Sequence, residues 1–135
     1  MKNIKKYIII FILGSLIGWL YEYFIGKQKN TCGDTAIKKL ELCLPLLTIY
    51  GMGGIILLYI KENFKFINIF TFSLIATIIL TIFECICGKM AKYLYNLKEW
   101  DYCLDKRDFC FCEGYISLLS FTLWYLFAMV FYKLF

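Results

Sequence analysis

INIFTFSLIATIILTIFECIC, residues Ile67–Cys87, is the stretch that decides the fold of this chain. It is almost entirely apolar, and its length is close to the ~20 residues that an α-helix needs to cross a bilayer. Dense isoleucine and phenylalanine would also suit a β-strand, but the length of the run favours a helix. Glu84 is its one residue with a formal charge. The stretch therefore predicts a transmembrane helix with an acid near one end.

Three more apolar runs resemble it, so that four candidate spans lie at about residues 7–25, 43–60, 67–87 and 115–134. The composition is 61% hydrophobic and 20% aromatic, with a mean hydropathy of +0.69. A soluble domain of 135 residues could not bury so much apolar surface in one core. We therefore predict an all-α polytopic membrane protein, a single domain over residues 1–135 that forms a bundle of four transmembrane helices in a lipid bilayer.

The first run follows MKNIKK and so resembles a secretory signal. It is too long for one, contains Trp19 and Glu22, and shows no small-residue cleavage site, so we expect a retained helix. Four spans place both termini on the same side of the membrane. The short segments on that side are rich in lysine, which favours the cytosol for the termini. The net charge of +5 is spread between the apolar runs instead of forming one patch, which argues against nucleic-acid binding.

Glycines mark one face of the predicted helices. On the first helix three of them, with Glu22 in the same series, recur at intervals of four, which is the spacing of a single helical face. Small residues let membrane helices approach closely and pack. The predicted helix-packing positions are Gly14, Gly18, Gly26, Gly54 and Gly88.

Two glutamates lie near the ends of apolar runs, on the side of the membrane opposite the termini. An ionised acid at the centre of a membrane helix costs about 2.5–3.5 kcal/mol on insertion scales, and acids inside spans usually mark functional sites. Glu22 and Glu84 would lie at the same depth, although each could instead reach the surface or pair with Lys27 or Lys89. Aromatic and small residues are expected at the same end of the bundle. The predicted substrate-binding residues are Trp19, Glu22, Tyr50, Gly51, Glu84, Trp100, Asp101 and Tyr102.

Several signatures of chemistry are missing from the sequence. There is no phosphate-binding loop of the Gly-x-x-x-x-Gly-Lys-Ser/Thr type, and there is no histidine. Seven cysteines are present, but their spacing is a weak metal signal. Disulfides between the loops on the side opposite the termini are one interpretation, while Cys85 and Cys87 are interpreted as apolar filler within the third helix. We predict no enzyme activity, no cofactor and no metal site.

Five short segments together resemble a known family, the small four-helix membrane proteins described as ABC-transporter permeases of the CmpB-like type. They are GWLYE (18–22), LPLLTIYGMGG (44–54), ECICG (84–88), WDY (100–102) and EGYISLL (113–119). The resemblance covers nearly the whole chain. The family pattern has an Arg-containing stretch before the second helix that this sequence lacks, and it has Pro where Thr48 stands, so the chain is identified as a divergent member.

The resemblance implies a transport-related membrane protein that works with a separate ATPase subunit, because this chain has no phosphate-binding loop. Four short helices enclose little space, so a homo-oligomer or another membrane partner is also expected. One alternative is a non-catalytic membrane scaffold or assembly factor, whose acids bind partner helices. Another is an intramembrane lipid-modifying enzyme that uses Glu22, Glu84 and Asp101 as acid and base groups.

Overall fold

A computed structural model of the chain describes residues 2–21, 44–65, 67–95, 103 and 109–135. The helices are α1 (Lys2–Tyr21), α2 (Leu44–Asn63), α3 (Ile69–Tyr95) and α4 (Leu118–Leu134). Two short strands, β1 (Cys110–Phe111) and β2 (Ile116–Ser117), form an antiparallel hairpin directly before α4. The prediction of an all-α fold is confirmed.

Several helix ends differ from the predicted spans. The first helix begins at Lys2 and not near residue 7, and the second ends at Asn63 and not near residue 60. The third helix continues to Tyr95 and does not end near residue 87, because most of the residues after Gly88 are good helix formers and an internal glycine costs only about 1 kcal/mol. The fourth helix begins at Leu118 and not at residue 115, because Ser117 is extended and caps the helix. The preceding residues form the hairpin instead.

Two helices are long and apolar enough to cross a membrane, over Asn3–Leu20 in α1 and Ile69–Leu94 in α3. The apolar helix α4 is shorter. Within the described residues the structure therefore contains two candidate membrane spans. That four helices cross the membrane stays a prediction.

The chain divides into two compact units. The first unit comprises Met1–Ile55 and Cys87–Trp100, and the second comprises Ile56–Ile86 and Asp101–Phe135. Among the described residues, the first unit contains α1, the beginning of α2 and the end of α3. The second contains the end of α2, most of α3, the hairpin and α4.

In the first unit, glycines bring α1 and α2 into close contact. A Cβ atom on Gly14 would lie 2.9 Å from the carbonyl oxygen of Tyr50, and a Cβ on Gly18 would overlap the Tyr50 side chain. On the other helix, a Cβ on Gly51 would lie 2.5 Å from Ser15 Oγ, and one on Gly54 would lie 3.1 Å from a methyl group of Ile10. On both helices, the glycines have no side chain that would keep α1 and α2 apart, so the two helices can pack closely.

In the second unit, α3 and α4 run antiparallel around a core of fully buried side chains. Those that are least exposed are Leu57, Leu58, Phe72, Ala76, Leu80, Tyr115 and Ala128. The buried face of α3 also carries the hydroxyl groups of Ser73, Thr77 and Thr81. The two threonine hydroxyls bond to the helix itself, whereas Ser73 Oγ has no hydrogen-bond partner among the described residues. Thr77 Oγ1 donates to the carbonyl of Ser73 and Thr81 Oγ1 to that of Thr77, each at 2.6 Å. The two threonine hydroxyls are thus satisfied locally, as most buried polar groups are.

Candidate functional site

The carboxylate of Glu84 is buried between α3 and α4. The side chain is only 6% exposed, and its Oε2 atom accepts a hydrogen bond of 3.1 Å from Trp124 Nε1. The indole nitrogen can only donate, so it suits an acidic acceptor. This pair joins α3 and α4 through a buried polar contact that includes a carboxylate, and we take it as the centre of the candidate site.

The hairpin before α4 lies beside the same part of α3. Cys112, in the turn of the hairpin, forms a disulfide with Cys85, the residue after Glu84, and their Cα atoms are 6.2 Å apart. A second disulfide joins Cys103 to Cys110, with Cα atoms 5.1 Å apart. The interpretation of Cys85 as apolar filler was therefore wrong. The sequence could not reveal this pairing, because Cys85 and Cys112 are 27 residues apart.

The turn of the hairpin has an unusual backbone. Cys112, Glu113 and Gly114 have φ angles of 53°, 58° and 92°, all in the left-handed region. Non-glycine residues rarely adopt this region, and such strain often accompanies functional sites. The turn allows the chain to reverse within three residues, with Cys112 bound to α3 and Tyr115 fully buried.

Local hydrogen bonds fix the start of α4. Ser117 Oγ accepts from the Ser120 amide at 2.9 Å, and Ser120 Oγ accepts from the Ser117 amide at 3.0 Å. This reciprocal capping box satisfies two backbone donors at a helix end. Trp124 lies one turn further along the helix, so the cap fixes the beginning of the helix that presents its indole to Glu84.

The opposite end of the second unit is basic. Lys61 Nζ donates to the carbonyl of Tyr132 at 2.5 Å and lies 4.9 Å from the centre of its ring. The Tyr132 hydroxyl donates to the carbonyl of Ile67 at 2.8 Å. Lys65 and Lys133 are exposed near these contacts in the sequence. The carboxylate of Glu84 and these lysines thus lie towards opposite ends of the α3–α4 pair.

The residues predicted to bind substrate are described only in part. Trp19, Tyr50 and Gly51 belong to the first unit, where Tyr50 packs on Gly18 and Gly51 on Ser15. Glu84 belongs to the second unit. The others, Glu22, Trp100, Asp101 and Tyr102, lie outside the described residues, as does Gly26. The site as a whole stays a prediction.

Trp124 is a residue of the site that the sequence analysis does not single out. It lies in the fourth apolar run, four residues after Ser120. A donor-only side chain facing inwards in an apolar helix was a usable signal that an acceptor lies opposite. The hairpin left no comparable signal, whereas the seven cysteines had already suggested disulfides in the loops opposite the termini, without giving their pairing.

Comparison with known proteins identifies the family. The model of the family described as "Putative ABC-transporter type IV", of the CmpB type, matches residues 9–135. The chain belongs to this family. No curated protein and no solved structure gives a significant match. In this CmpB-type protein, family membership and two apolar helices together indicate a membrane location. Two of the segments that carry the family resemblance are in contact, since Gly18 lies against Tyr50.

Proposed function

We propose that this CmpB-type protein is a multi-pass membrane component of an ABC-type transport assembly, and that Glu84 is a functional acid of that component. The observation that carries the proposal is the buried hydrogen bond between Glu84 and Trp124 in a protein of this family. Glu84 lies within the candidate span Ile69–Leu94. An acid in such a position is costly, and acids kept inside membranes are mostly functional.

A separate subunit supplies ATP hydrolysis in this proposal, because the chain has no phosphate-binding loop. The proposal assigns no catalytic step and no cofactor to the chain itself. Glu84 would act either in one copy of the chain with a membrane partner or in a homo-oligomer.

Two independent features support an orientation with the termini in the cytosol. Disulfides persist in oxidising compartments and are rare in the cytosol, so the end that carries Cys85–Cys112 and Cys103–Cys110 belongs on the non-cytosolic side. The other end of the second unit carries Lys61, Lys65 and Lys133 in short segments. Lysine-rich flanks favour the cytosol. Both criteria give the same orientation.

The direct experiment is purification of the tagged chain from its native membrane in mild detergent. We expect an ATPase subunit to co-purify, and ATP hydrolysis by the reconstituted assembly to fall when Glu84→Gln is introduced. Glutamine keeps an oxygen that can accept from Trp124, so the variant removes the acid while the contact can still form. Glu113→Gln, a change of an exposed acid in the same unit, serves as the matched control.

Two results would count against this function. Purification of a stable membrane partner without any ATPase would favour the scaffold alternative. Unchanged ATP hydrolysis by the Glu84→Gln assembly would remove Glu84 from the functional residues while leaving the transport role of the protein intact.

A further inference from the structure

The fourth helix is at the lower limit of length for crossing a bilayer alone. With 17 residues and a rise of about 1.5 Å per residue, α4 spans roughly 25 Å, whereas the hydrocarbon core of a bilayer is about 30 Å thick. If α4 crosses the membrane, as the proposed function requires, other atoms of the chain must fill the difference. The hairpin joins α4 at its first residue.

The Cys85–Cys112 disulfide places the hairpin beside α3. Cys85 lies inside the candidate span that begins at Ile69, and sixteen residues along a helix correspond to roughly 24 Å. Cys112 is covalently held at this level, with its Cα atom 6.2 Å from that of Cys85. The turn of the hairpin is therefore at the edge of the hydrocarbon region and not in a loop far out in water.

The backbone of the hairpin has the hydrogen bonds that such a position demands. In lipid, non-helical backbone is tolerated only where its polar groups have partners. Cys110 pairs with Ser117 and Phe111 with Ile116 across the two strands. The Leu118 amide donates to the carbonyl of Phe109 at 2.9 Å. The capping box described above satisfies the amides of Ser117 and Ser120.

The outer surface of the hairpin is apolar. Phe109 and Phe111 are 70% and 59% exposed, and because they are two positions apart along extended chain, they lie on the same face. Between them, Cys110 points to the other face and forms its disulfide with Cys103. Beyond the hairpin, the surface continues onto α4 through Leu118 and Leu119, both more than half exposed.

We infer that the hairpin Phe109–Ser117 is a membrane-embedded cap, in which Phe109 and Phe111 contact lipid at the boundary between acyl chains and headgroups. Lipid covers this exposed face, because the face continues into the exposed apolar side chains of α4. In the proposed topology, α4 is itself surrounded by lipid. The exposed carboxylate of Glu113, in the turn, would then lie among the headgroups. This inference rests on the proposed membrane-spanning role of α3 and α4.

The test uses the full-length chain with 4-fluorophenylalanine in place of its 13 phenylalanines, reconstituted in phospholipid vesicles. Fluorine resonances are assigned by single Phe→Leu substitutions. Fluorine NMR spectra are then recorded with a spin label attached to the lipid near its headgroup, which broadens signals in contact with lipid. A separate set is recorded with a water-soluble paramagnetic chelate, which broadens signals in contact with water. We expect loss of the Phe109 and Phe111 signals with the lipid label and their retention with the chelate.

Two other phenylalanines serve as internal controls. Phe70 is exposed at the start of the candidate span of α3, and Phe131 is buried. If lipid reaches neither Phe70 nor the hairpin, the membrane-spanning role itself fails. If lipid reaches Phe70, but Phe109 and Phe111 respond to the chelate or to neither agent, only the inference about the hairpin is overturned. A response of Phe109 and Phe111 to neither agent would indicate a protein partner or a second copy of the chain on this surface.

Discussion

The side chain of Tyr50 lies directly against the backbone of Gly18, so that no side chain fits at position 18 without displacing it. The contact joins α1 to α2 in the first unit, and a Cβ atom on Gly14 or Gly51 would also be crowded, by the Tyr50 carbonyl oxygen in one case and by the Ser15 and Phe11 side chains in the other. Gly14 and Gly18 on α1 thus form one side of a single interface, and Tyr50 and Gly51 on α2 form the other.

Replacing Gly18 with alanine should destabilise the first unit. The new methyl group would overlap the Tyr50 side chain, and overpacking of a well-packed contact costs about 1–3 kcal/mol. We expect a lower midpoint of thermal unfolding in detergent. The control is Ile17→Ala on the exposed side of the same helix, which should change the midpoint much less. Equal effects of the two substitutions would contradict the close contact.

The Trp124→Phe substitution should weaken the contact between α3 and α4. It removes the indole donor to the buried carboxylate of Glu84, and loss of a partner by a buried polar group costs about 1–3 kcal/mol. A thermal-unfolding cycle of Trp124→Phe, Glu84→Gln and the double variant measures the coupling. For residues in direct contact, the coupling energy in such a cycle is typically about 0.5–3 kcal/mol. Additive effects, with no coupling energy, would show that the hydrogen bond adds nothing to stability.

Cys85, Cys103, Cys110 and Cys112 should resist alkylation in protein isolated without reductant. All four are in disulfides, so their thiols become available only after treatment with a dithiol. Mass spectrometry of peptides from the alkylated chain gives the modified positions directly. The Cys85→Ser variant should release Cys112 alone and leave Cys103 and Cys110 protected. Alkylation of Cys85 in the untreated chain would contradict the first pairing.

Reporter fusions should place Tyr93 and Phe135 on opposite sides of the membrane. We expect a fluorescent protein fused after Phe135 to be fluorescent, and alkaline phosphatase at the same position to be inactive, because the lysine-rich end favours the cytosol. Phosphatase fused to a chain truncated after Tyr93 should be active, since α3 would carry it across. The reverse pattern of activities would mean that the disulfides face the cytosol.

Removing the helix cap should destabilise α4. Ser117→Ala deletes the side chain that accepts from the Ser120 amide, and loss of such a cap costs about 0.5–2 kcal/mol. Thr122→Ala is the matched control, because its hydroxyl bonds only to the carbonyl of Leu118 inside the helix. Thermal unfolding of the two variants is compared under identical conditions. A control effect as large as that of Ser117→Ala would argue against the cap.

The helices were predictable because each leaves a long apolar run in the sequence, and Ile67–Cys87 is the clearest of these. The start of α4 was not, because the residues from Tyr115 onwards are as apolar as the helix itself. Ile116 and Ser117 form a strand because they pair with Phe111 and Cys110, and this pairing is not visible in the sequence. The acid at Glu84 could be singled out by its cost in a membrane, but its donor Trp124 depends on how two distant helices pack. The Cys85–Cys112 bond likewise depends on tertiary proximity.

The two disulfides have a consequence for how the protein is made. All four of their cysteines precede α4 in the chain, and the Cys103–Cys110 bridge lies wholly inside the segment closed by Cys85–Cys112. As the polypeptide emerges from the ribosome, the inner bridge needs only the eight residues Cys103–Cys110. In the proposed topology, the outer bridge could form as soon as Cys112 has crossed the membrane. The covalent framework can therefore be complete before the last helix is synthesised, and α4 would insert against a partner that is already locked in place.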